Sequence, residues 1–241
     1  MAWLNTLGPE LSVDGRLWKW YYRAVGVPSY RSQLLWHYVT RFPKPLHFSS
    51  VLDVGCGAGA ITVGLALRWP GARFSGVDIY SSSIDLARRT AVQAHADNTE
   101  WQVAHFTEFQ GGPFDVVISL GLFEFVKDPS VDLARIAGCT RPGGRIIVTT
   151  PHARTPDERS QKRHTKCDMH DWMIAAGCEN PEIIEVSRGL SHLVYVGSQR
   201  LQWNPFGTAA FHLLTFPLVY LDQRLPGSGD LLLCTDQVFR G

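Results

Sequence analysis

The stretch Val51-Leu52-Asp53-Val54-Gly55-Cys56-Gly57-Ala58-Gly59-Ala60 is the densest concentration of chemistry in the chain. An apolar run ends in three glycines spaced by single residues and leads into a helical pattern. Glycine tolerates positive φ and lets a ligand come close to the backbone. The start of the following helix then offers unpaired N–H groups to acceptor oxygens. Asp78 ends the next apolar run, 23 residues after Gly55. That is near the separation of about 20 residues at which a carboxylate accepts hydrogen bonds from ribose hydroxyls. Glycines and carboxylate together point to a ligand containing adenosine.

Two ligands compete. Gly55, Gly57 and Ala60 satisfy the relaxed dinucleotide fingerprint G-x-G-x-x-A, which keeps an NAD-dependent oxidoreductase open. Asp53 stands two residues before the glycines, where a carboxylate sits awkwardly beside a pyrophosphate and suits an ammonium group. The Gly-Lys-Ser/Thr ending of a phosphate-binding P-loop is absent. S-adenosylmethionine combines ribose, adenine, an amino acid and a sulfonium without phosphate, and fits these residues better.

The elements that position these residues alternate between residues 50 and 150. Strands are expected at Val51–Val54, Arg73–Val77, Thr99–Val103, Phe114–Leu120 and Gly144–Thr149. Helices are expected at Ile61–Trp69, Ser82–His95 with an N-cap among Ser81 to Ser83, and Ser130–Gly138. Short apolar strands alternating with helices indicate a parallel sheet covered on both faces. Further on, a helix is expected at Lys166–Ala176, a strand near Glu182–Val186, a helix at Thr208–Leu221 and a strand at Asp230–Thr235. Residues 1–49 are aromatic-rich, with Trp18, Tyr22 and Trp36 placed to pack added helices on the sheet or to cover an apolar acceptor.

Four segments in this order resemble class I S-adenosylmethionine-dependent methyltransferases, in particular those acting on small molecules and quinones. Asp53 to Gly59 is similar to the family's first motif and Val77-Asp78-Ile79 to its ribose-binding motif. Phe114 to Ser119 is similar to its fourth strand, and Arg141-Pro142-Gly143-Gly144-Arg145-Ile146 to the turn into its fifth. The resemblance covers residues 49–187 and the last strand. It implies a Rossmann-like, seven-stranded, mostly parallel α/β sheet with helices on both faces and the last strand antiparallel. It implies S-adenosyl-L-methionine as cofactor, held by Asp53, Gly55, Cys56, Gly57, Gly59, Asp78, Ile79, His105, Phe106 and Leu120. Two departures stand out. The stretch from Val103 to Glu108 lacks the family's usual Asp, so His105, Phe106 or backbone borders the adenine. In Phe123-Glu124-Phe125-Val126, Phe125 replaces a histidine.

Open α/β sheets bind ligands at the carboxyl ends of their strands. Glu124 follows the fourth strand and His152 the fifth, which makes them the candidate catalytic residues. Tyr80 can lie against the adenine. His164, Cys167, Asp168 and His170 do not match a metal-ligand spacing, and no metal is expected.

The chain has 241 residues, a formal net charge of +1 and 19% charged residues. That length suits one domain, divided into a helical cap (1–49), a cofactor-binding core (50–187), an acceptor-site lid (188–228) and a last strand (229–241). The near-zero charge gives no basic face for nucleic acid. The five cysteines are scattered without Cys-x-x-Cys spacing, as expected of reduced thiols in the cytoplasm. No signal peptide or membrane span is expected. The expected activity is methyl transfer to a small, apolar, aromatic or lipid-like acceptor. A protein that binds the cofactor without transferring methyl is the other reading.

Overall fold

A computed structural model describes residues 48–153, 163–186, 218, 221 and 231–237. All of the expected helical cap but Phe48 and Ser49, almost all of the expected 208–221 helix and most of the expected lid lie outside these residues.

The described chain forms one seven-stranded sheet in the order β3-β2-β1-β4-β5-β7-β6. Its strands are β1 (Ser50–Val54), β2 (Arg73–Asp78), β3 (Thr99–Val103), β4 (Phe114–Leu120), β5 (Thr140–Pro151), β6 (Glu182–Val186) and β7 (Leu231–Gln237). The first five run parallel, and β7 is antiparallel to both β5 and β6. This is the sheet that the sequence implies. Its order reverses between β1 and β4, and the crevice beyond such a switch point is where open sheets bind ligands.

Side chains alternate across the strands. One face carries Val51, Phe74, Val116, Ile118 and Ile147 and is covered by α1 (Ala60–Arg68) and α2 (Ser81–Ala94). The other carries Leu52, Val54, Val117, Ile146 and Val148 and is covered by α3 (Pro129–Cys139) and α4 (Lys166–Ala175). The central strands are buried on both faces, so they read as continuous apolar runs.

Helix starts differ from one another in a way that matters for the site. Asp128 caps α3 by accepting from Val131 N, and Pro129 occupies the first turn, where its missing N–H costs nothing. Thr165 and Asp168 form a capping box on α4. By contrast, α1 begins at Gly59 and α2 at Tyr80, neither with a side-chain cap. The serine cap expected for α2 is therefore not formed: Ser81 to Ser83 lie inside its first turn. These two uncapped starts are the ones at the carboxyl ends of β1 and β2.

β5 is longer than expected. Phe114 pairs with Thr140 and Val116 with Arg145, so Arg141 to Gly144 bulge out of the ladder. The bulge has a partner. Arg141 Nε lies 2.7 Å from Asp115 Oδ1, and Asp115 Oδ2 accepts from the backbone N–H groups and hydroxyls of Ser49 and Ser50. Burial alone would push the Asp115 carboxyl up, but these donors and the guanidinium outweigh it and hold it below the usual range. Asp115 thus fastens the amino-terminal edge of β1, β4 and β5, opposite the site.

Candidate functional site

Three glycines at alternate positions put left-handed backbone into the loop after β1. Gly55, Gly57 and Gly59 have φ of 71°, 54° and 74°. The loop is tied to β2 because Gly55 N and Cys56 N both donate to Val77 O, at 2.9 and 3.1 Å. Asp78 completes the tie: its Oδ2 accepts from Gly57 N at 2.9 Å and its Oδ1 from Tyr80 N at 2.9 Å. One carboxylate therefore joins the glycine loop to the start of α2. The glycine run and Asp78, distant in sequence, meet in the fold through the Gly57–Asp78 hydrogen bond.

The glycines do different work. A Cβ on Gly59 would stand 2.4 Å from the Trp101 indole, and one on Gly76 in β2 would stand 2.5 Å from it. So Trp101 on β3 reaches across β2 to buttress the loop from below, and two glycines make room for it. A Cβ on Gly55 would meet Leu122, 3.3 Å away, which places the turn after β4 against the loop. Neither Trp101 nor Leu122 was singled out by the sequence. An aromatic in an exposed-looking strand gives no signal of its packing partner, whereas Gly76 inside an apolar strand is the usual mark of a close approach.

Asp53 lies on the α1 face of β1 and is 3% exposed. Thr62 Oγ1 donates to its Oδ2 at 2.5 Å. Burial pushes its carboxyl up to about 7, against the Thr62 hydrogen bond and with a further rise from Asp78. Burial also raises the Cys56 thiol, and Asp53 and Asp78 push it in the same direction. Two carboxyl groups, Asp53 and Asp78, thus border the loop, and the raised Cys56 thiol adds no negative charge to them. A ligand carrying positive charge and hydroxyl donors fits them, and a pyrophosphate does not.

Beside Asp78, Ile79 and Tyr80 are about half exposed, at 50% and 45%, and with Val103 at 44% they give this rim an apolar surface. His105 is exposed, and its Nδ1 engages Thr107 Oγ1 at 2.6 Å and the Thr107 N–H at 3.3 Å, capping a short 3₁₀ turn. Phe106 is buried in the core together with Val77 and Leu133. Leu120 is half-buried and packs against the opposite core. The structure therefore gathers Asp53, the glycines, Cys56, Asp78 and Ile79 into one loop region. It puts His105 and Phe106 just past β3 and Leu120 at the end of β4, with Leu122 making the contact to the loop.

The candidate catalytic residues sit on the other side of the switch point. His152 is 4% exposed and Glu124 is 9% exposed, so both are buried. His152 forms an isolated parallel bridge with His164, in which Ala153 N donates to His164 O and His164 N donates to Pro151 O. The His164 ring places Nε2 3.3 Å from Phe123 O and packs edge-on against Trp172. His164 thus joins the ends of β4 and β5, a juxtaposition that the sequence does not announce. The hydroxyls of Ser119, Thr149 and Thr150 are buried near these strand ends without a hydrogen-bond partner among the described residues. His170 is exposed on α4 beside Asp171, away from His164. Among the described residues no group of three or more His, Cys, Asp or Glu side chains is placed to hold a metal ion.

Residues 48–204 match the family model described as a methyltransferase domain. A ubiquinone biosynthesis O-methyltransferase from Albidiferax ferrireducens is 33% identical over 109 residues, covering 44% of this chain and 42% of that protein. A release factor glutamine methyltransferase from Chlorobaculum tepidum is 42% identical over 77 residues, 29% of this chain and 26% of that protein. The matches thus span less than half the length of these curated relatives. Among solved structures, a Haemonchus contortus phosphoethanolamine N-methyltransferase 2 with S-adenosylhomocysteine superposes with a TM-score of 0.67 at 16% identity, covering 94% of this chain and 57% of that one. The [4+2]-cyclase SpnF superposes with a TM-score of 0.62 at 16% identity, covering 88% and 83%.

Proposed function

The chain belongs to the methyltransferase domain family, and from that premise we propose that it transfers a methyl group from S-adenosyl-L-methionine to a small, apolar, quinone-like or aromatic acceptor. The observation that carries this reading is the junction of Asp78 with the glycine loop, set beside a buried Asp53 that no cationic side chain accompanies among the described residues. Such a site wants a ligand with ribose hydroxyls at one end and positive charge at the other.

Bound there, S-adenosylmethionine supplies a methyl group already activated by its sulfonium. In this reading Asp78 accepts from the ribose hydroxyls, and Gly55, Cys56 and Gly57 present backbone to the amino-acid end. Gly59 keeps the start of α1 close to Trp101. Ile79 and Tyr80 would border the adenine, with His105, Phe106 and Leu120 the other residues of the expected cofactor-binding set at the ends of β3 and β4. Because the donor is activated, the protein's main task is alignment of the acceptor atom with the methyl group, and proximity of that kind supplies much of the rate. A base matters where the acceptor must lose a proton. His152 and Glu124, both at strand ends beyond the switch point, are assigned that role. The quinone-like acceptor is supported by the run of ubiquinone O-methyltransferases among the relatives. The five free thiols favour a reducing compartment, the cytoplasm. No helix among the described residues is long and apolar enough to cross a membrane.

Two alternatives fail by different results. In the SpnF structure the same fold belongs to a protein named as a cyclase, so methyl transfer itself must be observed. The test incubates the protein with methyl-labelled S-adenosylmethionine and a panel of catechols and hydroquinones. Labelled product and an equal amount of S-adenosylhomocysteine are expected. Cofactor recovered intact beside a converted acceptor would instead mean chemistry without methyl transfer. A change in NADH fluorescence on mixing, with no response to S-adenosylmethionine, would return the site to a dinucleotide.

A further inference from the structure

We propose that Thr62 is a positioning residue of the cofactor site and that binding of the cofactor's charged amino-acid end drives a proton off Asp53 into solvent. This rests on the reading that S-adenosylmethionine occupies the loop after β1.

The geometry supports it from each side of Asp53. On its strand, Asp53 is paired with Gly76 of β2 and Ile118 of β4, neither of which brings charge. From α1, the fully buried Thr62 donates its hydroxyl to Oδ2. From the loop and β2, the titratable neighbours are the Cys56 thiol and the Asp78 carboxylate. No lysine, arginine or histidine among the described residues pairs with Asp53. An ionised carboxylate in that setting has one hydrogen bond and no countercharge, and burying it so is expensive. With the site free, the carboxyl therefore keeps its proton on Oδ1 up to near neutral pH, as its raised value of about 7 also indicates. A ligand bearing an ammonium reverses the balance. The O–H bond of the carboxyl breaks, the proton passes to buffer, and the carboxylate left behind faces positive charge. The Thr62 hydroxyl stabilises the ionised form throughout, because a hydrogen bond to the charged form favours it.

The sign follows. Below the free-site value each ligand must displace a proton, so affinity falls by up to about ten-fold per pH unit on acidification. Above it the affinity levels off. Thr62→Val keeps the shape of the side chain and removes the O–H, so the fall should begin at higher pH. Thr62→Ser should restore the wild-type profile.

The experiment is calorimetric titration of S-adenosylhomocysteine into the full chain between pH 5.5 and 7.0, in buffers of different ionisation enthalpy. The α-amino group stays charged across that range. About one proton released per ligand is expected near pH 5.5 and about half a proton near pH 7. The Thr62→Val profile is expected to shift upward, with Thr62→Ser matching wild type. Binding without proton release in the wild-type protein would overturn the proposal and leave the cofactor reading intact. So would a Thr62→Val profile identical to wild type. Absence of binding at every pH would remove the cofactor reading and this proposal with it. The wild-type proton count needs no variant, so a poorly folding substitution does not decide the matter.

Discussion

At the scale of single residues, the site turns on what burial does to a carboxyl group. The sequence shows that Asp53 and Asp78 flank the glycines; it does not show that one is 3% exposed on a threonine and the other bridges two backbone N–H groups. Thr62 looks like any helix residue until the helix is laid on β1. His152 and Glu124 are equally legible as polar residues after strands and equally illegible as buried ones. The raised Asp53 also makes a claim about stability. The unfolded chain gives up that proton near pH 4 and the folded chain near 7, so between those values the folded state binds more protons. Stability must then fall as pH rises through that window and level off above it. Between pH 5 and 8 the loss attributable to Asp53 is on the order of 2–3 kcal/mol. Urea unfolding of the cofactor-free protein at the two pH values measures it. Asp53→Asn should remove that part of the pH dependence, and an unchanged slope in the variant would show that Asp53 is already ionised.

At the scale of elements, the alternation of strands and helices was readable because both faces of a parallel sheet are covered, which leaves apolar runs bounded by turns. The boundaries that moved have physical causes. Ser81 to Ser83 read as caps but stand within α2, since Asp78 occupies Tyr80 N and the chain turns one residue earlier. β5 begins before its proline-glycine turn because Asp115 holds Arg141 and the bulge that carries it. The Trp101 buttress was out of reach, because it depends on which strand lies next to β2. It can be tested by overpacking. Gly76→Ala places a methyl group 2.5 Å from the indole and 2.9 Å from Cys56 Sγ. A loss of about 1–3 kcal/mol is expected from denaturant unfolding. Combining it with Trp101→Leu should cost clearly less than the sum of the two single changes, because they share one contact. Simple additivity would mean that Trp101 does not press on the loop.

At the scale of the whole molecule, the sheet divides its labour between its two ends. The amino-terminal end is fastened by Asp115 to Ser49, Ser50 and Arg141. The carboxyl end carries the glycine loop, two helix starts without side-chain caps, and the buried Glu124, His152 and His164. The strand–helix alternation anticipated the α/β sheet, while the 241-residue length and low charge set only expectations of one domain and no basic face. They left the acceptor side open, and the segments expected to form it, 1–49 and 188–228, lie largely outside the described residues. The central claim is that the junction of Asp78 with the glycine loop binds S-adenosylmethionine. Titrating S-adenosylhomocysteine into the wild-type protein and into Asp78→Ala tests it most directly. One ligand per chain is expected for wild type, with affinity weakened by about 10–100-fold in the variant, the worth of a charge-assisted hydrogen bond. Equal affinity in the two proteins, or no binding to either, would contradict the account.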